Sequence, residues 1–213
     1  MAVIFADGEI NDYQIIQKQI PADSYIICAD GGVRHAKAMG LIPKLIVGDM
    51  DSVDQELLYY YHSKGAVINC HPREKDEVDT ELAIREAVNA GYKRIKLFGA
   101  TGSRLDHTLA NIHLLVKAAN LKARAVIINE QNHISLVTPR LSVEITGCPG
   151  ELLSLIPLTN EVTGVNSRGL KWELTDRTFT VGNPFGISNE LIHPAASITV
   201  KEGMLLMIRV WEE

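Results

Sequence analysis

Through the first 129 residues, short apolar runs alternate with longer runs of helical periodicity, and acidic, glycine-bearing turns repeatedly join one to the next. The apolar runs fall at 3–6, 25–29, 45–47, 66–69, 95–98 and 125–128, and the helix-like runs at 10–20, 33–39, 54–64, 80–89 and 105–119. In the fourth helix-like run, Leu82, Ala83, Ala87 and Val88 recur at helical rather than alternating spacing. Runs this apolar suit strands covered on both faces by helices. This half therefore predicts an α/β domain with a mostly parallel sheet. Such a sheet gathers the turns leaving the carboxyl ends of its strands along one edge, where ligands bind.

The texture changes after about Asn129. Short strand candidates at 134–137, 143–146, 152–156, 171–174, 179–181, 197–201 and 205–210 are separated by Gly, Pro and Asn, and Ser197-Ile198-Thr199-Val200-Lys201 alternates clearly. A small all-β antiparallel sandwich is expected here. The boundary falls near 129–140, dividing the chain into 1–130 and 131–213. On spacing alone, Trp172 and Trp211 read as sandwich core.

Composition narrows the partners. A formal charge of −5 argues against a broad nucleic-acid surface, which needs a basic face, but not against nucleotides. The start, MAVIFADGEI, lacks a basic n-region, and no run approaches the roughly 20 apolar residues of a membrane helix. No secretory signal and no membrane partner are expected. Cys28, Cys70 and Cys148 form no CxxC pair, and a reducing cytoplasm is the expected setting.

Four turns carry the chemistry: Ala29-Asp30-Gly31-Gly32, Gly48-Asp49-Met50-Asp51-Ser52, Lys75-Asp76-Glu77-Val78-Asp79-Thr80, and the segment from Gly99 to His107. In an extended turn, residues i and i+2 point the same way, so Asp49 and Asp51 can share one cation, with Asp79 as a third ligand. Turn chemistry or helix capping would explain either pair member alone. Its recurrence at several strand ends weighs for a metal. Asp79 also suits a helix start, and Asp76 stands beside Lys75, which can neutralise it. Gly99, Thr101 and Gly102 with Asp30, Gly31 and Gly32 supply flexible backbone for a phosphate cradle. Arg104 offers a planar donor fork to phosphate, Asp106 can organise it, and His107 can donate to phosphate or simply begin a helix. Neither GxxxxGK[ST] nor GxGxxG is present. In the second half, Trp172 offers a ring for stacking, with Ser188 and Asn189 as polar groups beside it.

Taken in order, ADGG at 29–32, GDMDS at 48–52, KDEVDTELAI at 75–84, GATGSRLDH at 99–107, and GLKW with GISNE across 169–190 resemble the bacterial thiamine pyrophosphokinase family over nearly the whole chain. The resemblance implies transfer of the pyrophosphoryl group of ATP to the thiamine hydroxyl, yielding thiamine diphosphate and AMP. It implies Mg2+ as cofactor, ATP and thiamine as substrates, and a homodimer with sites at the subunit interface. Residues 1–130 would form the catalytic, ATP- and magnesium-binding domain, and 131–213 the thiamine-binding and dimerisation domain. Asp49, Asp51 and Asp79 match the carboxylates for magnesium and nucleotide phosphate. Arg104 and Asp106 match the active-site pair framing phosphate and thiamine, and Trp172, Ser188 and Asn189 match the thiamine-binding half. Asp76 and Asp79 are candidates to take the hydroxyl proton. The chain departs from the family pattern at Val78, where threonine is common, at Ser103, where glycine is common, and at Trp172, where many bacterial members carry tyrosine. A metal-dependent nucleotide phosphohydrolase or a non-catalytic thiamine/nucleotide sensor would also use acidic turns, but would not account for the ordered motifs.

Overall fold

The computed structural model describes residues 1–74, 76–139 and 141–211. It separates into two compact units, Met1–Glu130 and Gln131–Glu213.

The first unit is a parallel sheet with helices in its connections. In chain order it runs β1 (Ala2–Phe5), α1 (Tyr13–Lys18), β2 (Tyr25–Ala29), a 3-10 turn (Asp30–Gly32), α2 (Val33–Ala38), β3 (Leu45–Gly48), α3 (Gln55–Ser63), β4 (Val67–Cys70), α4 (Asp79–Asn89), β5 (Arg94–Phe98), α5 (Leu105–Asn120) and β6 (Arg124–Ile128). The strand order is β6-β5-β1-β2-β3-β4, every pair parallel. All residues of β1 and β3 are buried, which is why their sequences are continuous apolar runs. β4 departs from that expectation. It is the edge strand, and Val67 is exposed. The helical stripe of α4 buries Leu82, Ala83, Ile84 and Ala87. Among the described residues no helix is long and apolar enough to cross a membrane.

The order of the strands places the site. From β1 the chain builds outward through β2, β3 and β4, then returns to lay β5 on the other side of β1. The connections therefore diverge at the carboxyl ends of β1 and β5, opening the crevice in which sheets of this kind bind ligands.

The second unit is all antiparallel. β7 (Asn132–Val137), β9 (Leu152–Pro157), β12 (Asn189–Glu190) and β14 (Leu205–Val210) pair in the order β12-β9-β14-β7. β8 (Val143–Thr146), β10 (Glu161–Arg168), β11 (Arg177–Thr180) and β13 (Ala195–Thr199) form a second sheet, β11-β10-β13-β8. Inward-facing side chains from both sheets, including Val143, Leu155, Val162, Phe179 and Ile198, make one apolar cluster. This is the sandwich expected, with three corrections. Residues 171–174 form no strand, and β10 and the two-residue β12 occupy stretches assigned to none. A register shift between Val162 and Val165 interrupts the period-two alternation in β10, so its burial changes phase at Gly164.

Candidate active site

Three carboxylates meet at the ends of β2 and β3. Asp30 opens the 3-10 turn after β2 in the left-handed region, φ +44°, and is buried. After β3, Met50 also turns left-handed, φ +64°, and buries its side chain. Asp51 then folds back, donating its N–H to Asp49 Oδ1 at 3.0 Å, while Ser52 Oγ donates to Asp51 Oδ1 at 3.1 Å. One carboxylate oxygen each from Asp30, Asp49 and Asp51 lies within 4.8 Å of the other two. Burial holds the Asp30 carboxyl above the ordinary carboxylate range, opposed by hydrogen bonds from Gly31 and Ser52, and the charges of Asp79 and Asp49 push it the same way as burial. Asp30 Oδ1 is buried and has no hydrogen-bond partner among the described residues. Converging oxygen ligands around such an orphaned carboxylate oxygen fit a hard divalent cation.

Asp79 is the first residue of α4, following Val78, whose extended backbone ends the preceding loop, and it lines the same cleft as Asp30. Asp76 is an exposed bend residue outside that lining, and Lys75 lies outside the described residues. Arg73, itself exposed, reaches to 3.4 Å from Asp51 Oδ2.

The cleft, about 650 Å³, follows the crevice between β1 and β5. Its walls are two interlocked turns. Gly8 N–H donates to Gly99 O at 2.6 Å and Glu9 N–H to Thr101 O at 2.9 Å, while Glu9 Oε1 accepts from Ser103 N–H at 3.1 Å. A glycine at 103 would keep that N–H bond, but the Ser103 side chain adds its own hydrogen bond to Glu9, the main cause holding the Glu9 carboxyl below the ordinary range. Gly99 adopts φ +61°, and a Cβ there would stand 2.5 Å from Ala6 O. A Cβ on Gly32 would stand 2.1 Å from Phe5 O, so this glycine lets the 3-10 turn pack against β1. Gly31 is buried too, its α-carbon facing the Asp7 carboxylate. Gly31, Gly32 and Gly99 therefore shape the cradle from behind, whereas Thr101, Gly102, Arg104 and His107 line it. Asn111 donates to Ala100 O at 2.9 Å and ties the turn to α5.

Arg104 and Asp106 are both exposed at the head of α5. Arg104 Nη2 donates to Asp106 Oδ2 at 2.6 Å and Nε to Oδ1 at 3.2 Å. The hydrogen bonds from Arg104 hold the Asp106 carboxyl down at about 2. The fork is occupied by its neighbour yet free of burial, and so available to an incoming anion.

Four further residues shape this cleft and were not singled out from sequence: Asp7, Glu9, Arg34 and His35. Arg34 pairs with the Asp7 carboxylate, and its Nη2 donates to Asp7 O at 2.8 Å and Gly8 O at 2.7 Å. His35, 1% exposed, places Nε2 3.0 Å from Gly8 O and Nδ1 2.9 Å from Tyr13 Oη. A carbonyl can only accept, so Nε2 carries the proton and Nδ1 accepts from the tyrosine. The available signal was Asp7-Gly8-Glu9 itself, an acidic glycine turn after an apolar run.

The second unit carries its own cleft of about 720 Å³, lined by Trp172, Arg177, Phe185, Ile187 and Ser188 among others. Trp172 is 57% exposed, which corrects its assignment to the core. Trp211 is half-buried, edge-on to His133 at 6.2 Å, rather than fully enclosed. Asn189 is buried and clamps the Trp172 main chain. Its Oδ1 accepts from Trp172 N–H at 3.1 Å, and its Nδ2 donates to Trp172 O at 2.8 Å. Ser188 turns left-handed, φ +58°, and donates its N–H to Ser154 Oγ at 3.0 Å. Lys171 Nζ sits 5.1 Å from the Trp172 ring centroid.

Comparison with known proteins follows the same division. The family model for the thiamin pyrophosphokinase catalytic domain matches residues 16–127, and that for the thiamin pyrophosphokinase vitamin B1 binding domain matches residues 130–205. Thiamine pyrophosphokinase of Bacillus subtilis is 32% identical over 184 residues, covering 86% of each chain. The crystal structure of the Bacillus subtilis thiamine pyrophosphokinase superposes with a TM-score of 0.89 at 28% identity, over 100% of this chain and 99% of that one. The thiamin pyrophosphokinase of Geobacillus thermodenitrificans gives 0.86 at 28% identity, with the same coverage. With both family models matched in order and the fold shared from end to end, this chain belongs to the thiamin pyrophosphokinase family.

Proposed function

We propose that the chain transfers the pyrophosphoryl group of ATP to the hydroxyl of thiamine, releasing thiamine diphosphate and AMP, with Mg2+ as its cofactor. The observation that carries the metal assignment is the convergence of Asp30, Asp49 and Asp51 beside a cleft that Asp79 also lines. Asp49, Asp51 and Asp79 would hold the ion, and Asp30, with its orphaned buried oxygen, joins them. Bound there, magnesium supplies charge neutralisation at the phosphate oxygens.

The remaining work belongs to side chains that position and neutralise, which is what phosphoryl chemistry requires. Arg104 turns its fork from Asp106 to the transferring group and stabilises the charge that develops as AMP leaves. Asp79, inside the cleft, is better placed than exposed Asp76 to accept the hydroxyl proton. Thr101, Gly102 and His107 contact the nucleotide along the turn. Thiamine is held in the second unit, stacked on Trp172, with Ser188 beside it and Asn189 fixing the tryptophan. The enzyme works as a cytoplasmic homodimer with its sites at the subunit interface.

The test is product analysis. Incubation with thiamine, ATP and Mg2+ should yield equal amounts of thiamine diphosphate and AMP. ATP breakdown that proceeds at the same rate without thiamine would replace this reading with hydrolysis.

A further inference from the structure

The geometry points to Arg34 as the platform on which the flat base of the nucleotide stacks, an assignment that rests on ATP being the donor. Arg34 stands in α2, just beyond the 3-10 turn that carries Asp30, and lines the cleft with about half of its side chain exposed. Its hydrogen-bonding edge faces the protein. Both hydrogens of Nη2 are directed at main-chain carbonyls, those of Asp7 and Gly8, and Nη1 meets the Asp7 carboxylate. A guanidinium has five N–H donors in one plane. With that edge spent on the Asp7-Gly8 turn, the group is poorly disposed to grip phosphate. It is held rigidly enough to present a flat cationic face.

The surroundings reinforce the orientation. Gly8 O accepts from both Arg34 Nη2 and the buried His35 Nε2, so the carbonyl that aims the guanidinium is itself pinned from beneath. The turn is tied on its other side as well, where Gly8 N–H donates to Gly99 O. Arg34 therefore sits at the β1 end of the crevice, while Arg104, paired with exposed Asp106, lies across it at the head of α5. The two arginines divide their labour. Arg104 offers an exposed fork, paired with a side chain that is itself exposed and suited to exchange for phosphate, and Arg34 offers a plane tethered to main-chain carbonyls and suited to an aromatic ring, the geometry in which guanidinium and π-face attract.

The experiment compares wild type, Arg34→Lys and Arg34→Gln by steady-state kinetics, with AMP and inorganic tripolyphosphate as competitive inhibitors against ATP. Lysine keeps the charge but has no plane. Stacking predicts that Arg34→Lys raises the KM for ATP and the Ki for AMP by roughly tenfold, leaves the Ki for tripolyphosphate within twofold, and leaves the thiamine KM unchanged. Equal weakening of AMP and tripolyphosphate would make Arg34 a phosphate ligand and overturn the inference. Unchanged values for every ligand would reduce it to a tie for the Asp7 turn. If neither variant folds, phenylglyoxal modification of the wild-type enzyme, with Arg34 followed by mass spectrometry, reads the same contact. Protection by AMP but not by tripolyphosphate is expected, and protection by both equally would refute it. A wild-type enzyme that makes no AMP from ATP and thiamine would fail the functional reading itself, separately from any behaviour of Arg34.

Discussion

The buried histidine beneath the cleft makes a pH-dependent prediction that can be worked through. Burial drives the His35 imidazole down to about 4, with the Arg34 charge acting the same way; the hydrogen bond with Gly8 and the Glu130 carboxylate oppose them only in part. An unfolded chain holds its histidine near 6.5. Between the two values the unfolded state binds a proton that the folded state refuses. Stability from this group is therefore full above about pH 6.5 and is lost as pH falls through that window toward 4. From pH 7 to pH 5 the loss comes to about 2 kcal/mol, or about 4–8 °C in Tm for a chain of this size. The assay is urea unfolding at the two pH values, followed by the helical far-UV circular dichroism. Among the described residues the five α-helices all belong to the first unit, so that signal reports the unit containing His35. Other groups titrate over the same range, and the comparison is with His35→Gln. Glutamine keeps a donor for Gly8 O and an acceptor for Tyr13 but cannot take the proton. The variant should begin less stable at pH 7 and lose about 2 kcal/mol less than wild type on acidification. Equal losses in the two proteins would refute a neutral, buried His35.

Other outcomes follow from the same geometry. Asp51→Asn and Asp79→Asn should each lower kcat by about 100-fold or more while the thermal melt stays near wild type, since each removes charge from the phosphate site rather than core packing; wild-type turnover in both would sink the metal assignment. Trp172→Ala should raise the thiamine KM by roughly tenfold with little change in kcat, because an exposed ring contributes stacking and not core. Asn189→Ala should destabilise the second unit by about 1–3 kcal/mol, having stripped two bonds from the Trp172 main chain, and should shift tryptophan fluorescence. Gly32→Ala should cost about 1–3 kcal/mol or prevent folding, as the added carbon meets Phe5 O, and calorimetry measures it.

The architecture of the first unit was legible because its inner strands β1, β2 and β3 are buried almost end to end. A strand buried on both faces needs apolar residues throughout, so β2, buried from Ile26 to Ala29, appears as an uninterrupted run whose observed bounds, Tyr25–Ala29, match it. The sandwich was less legible, for opposite reasons at two places. β10 is a true central strand whose alternation is reset by a bulge at Gly164, so a fixed period cannot find it. Residues 171–174 have a strand-like composition, yet the Asn189 side chain occupies the Trp172 N–H and C=O that a strand partner would need. That clamp also explains why Trp172 is exposed. Its main chain is held by hydrogen bonds, leaving the ring free of any packing duty.

In the cleft, side chains that one local turn brings together could be read from sequence, and those that strand order brings together could not. Asp49 and Asp51 lie in one turn, and their pairing is visible in their spacing. The Asp7-Gly8-Glu9 turn follows the same pattern of apolar run, acid and glycine, but its meaning comes from β1 lying between β5 and β2. Only that order sets Gly8 against Gly99 and brings Arg34 and His35, from the helix after β2, onto the Gly8 carbonyl. No local pattern encodes which strands are neighbours. The same adjacency ties Arg34 to main-chain carbonyls, while Arg104 meets an exposed side chain two residues away. Two residues of one type in one cleft thus acquire different surroundings, one from strand order and one from its own turn.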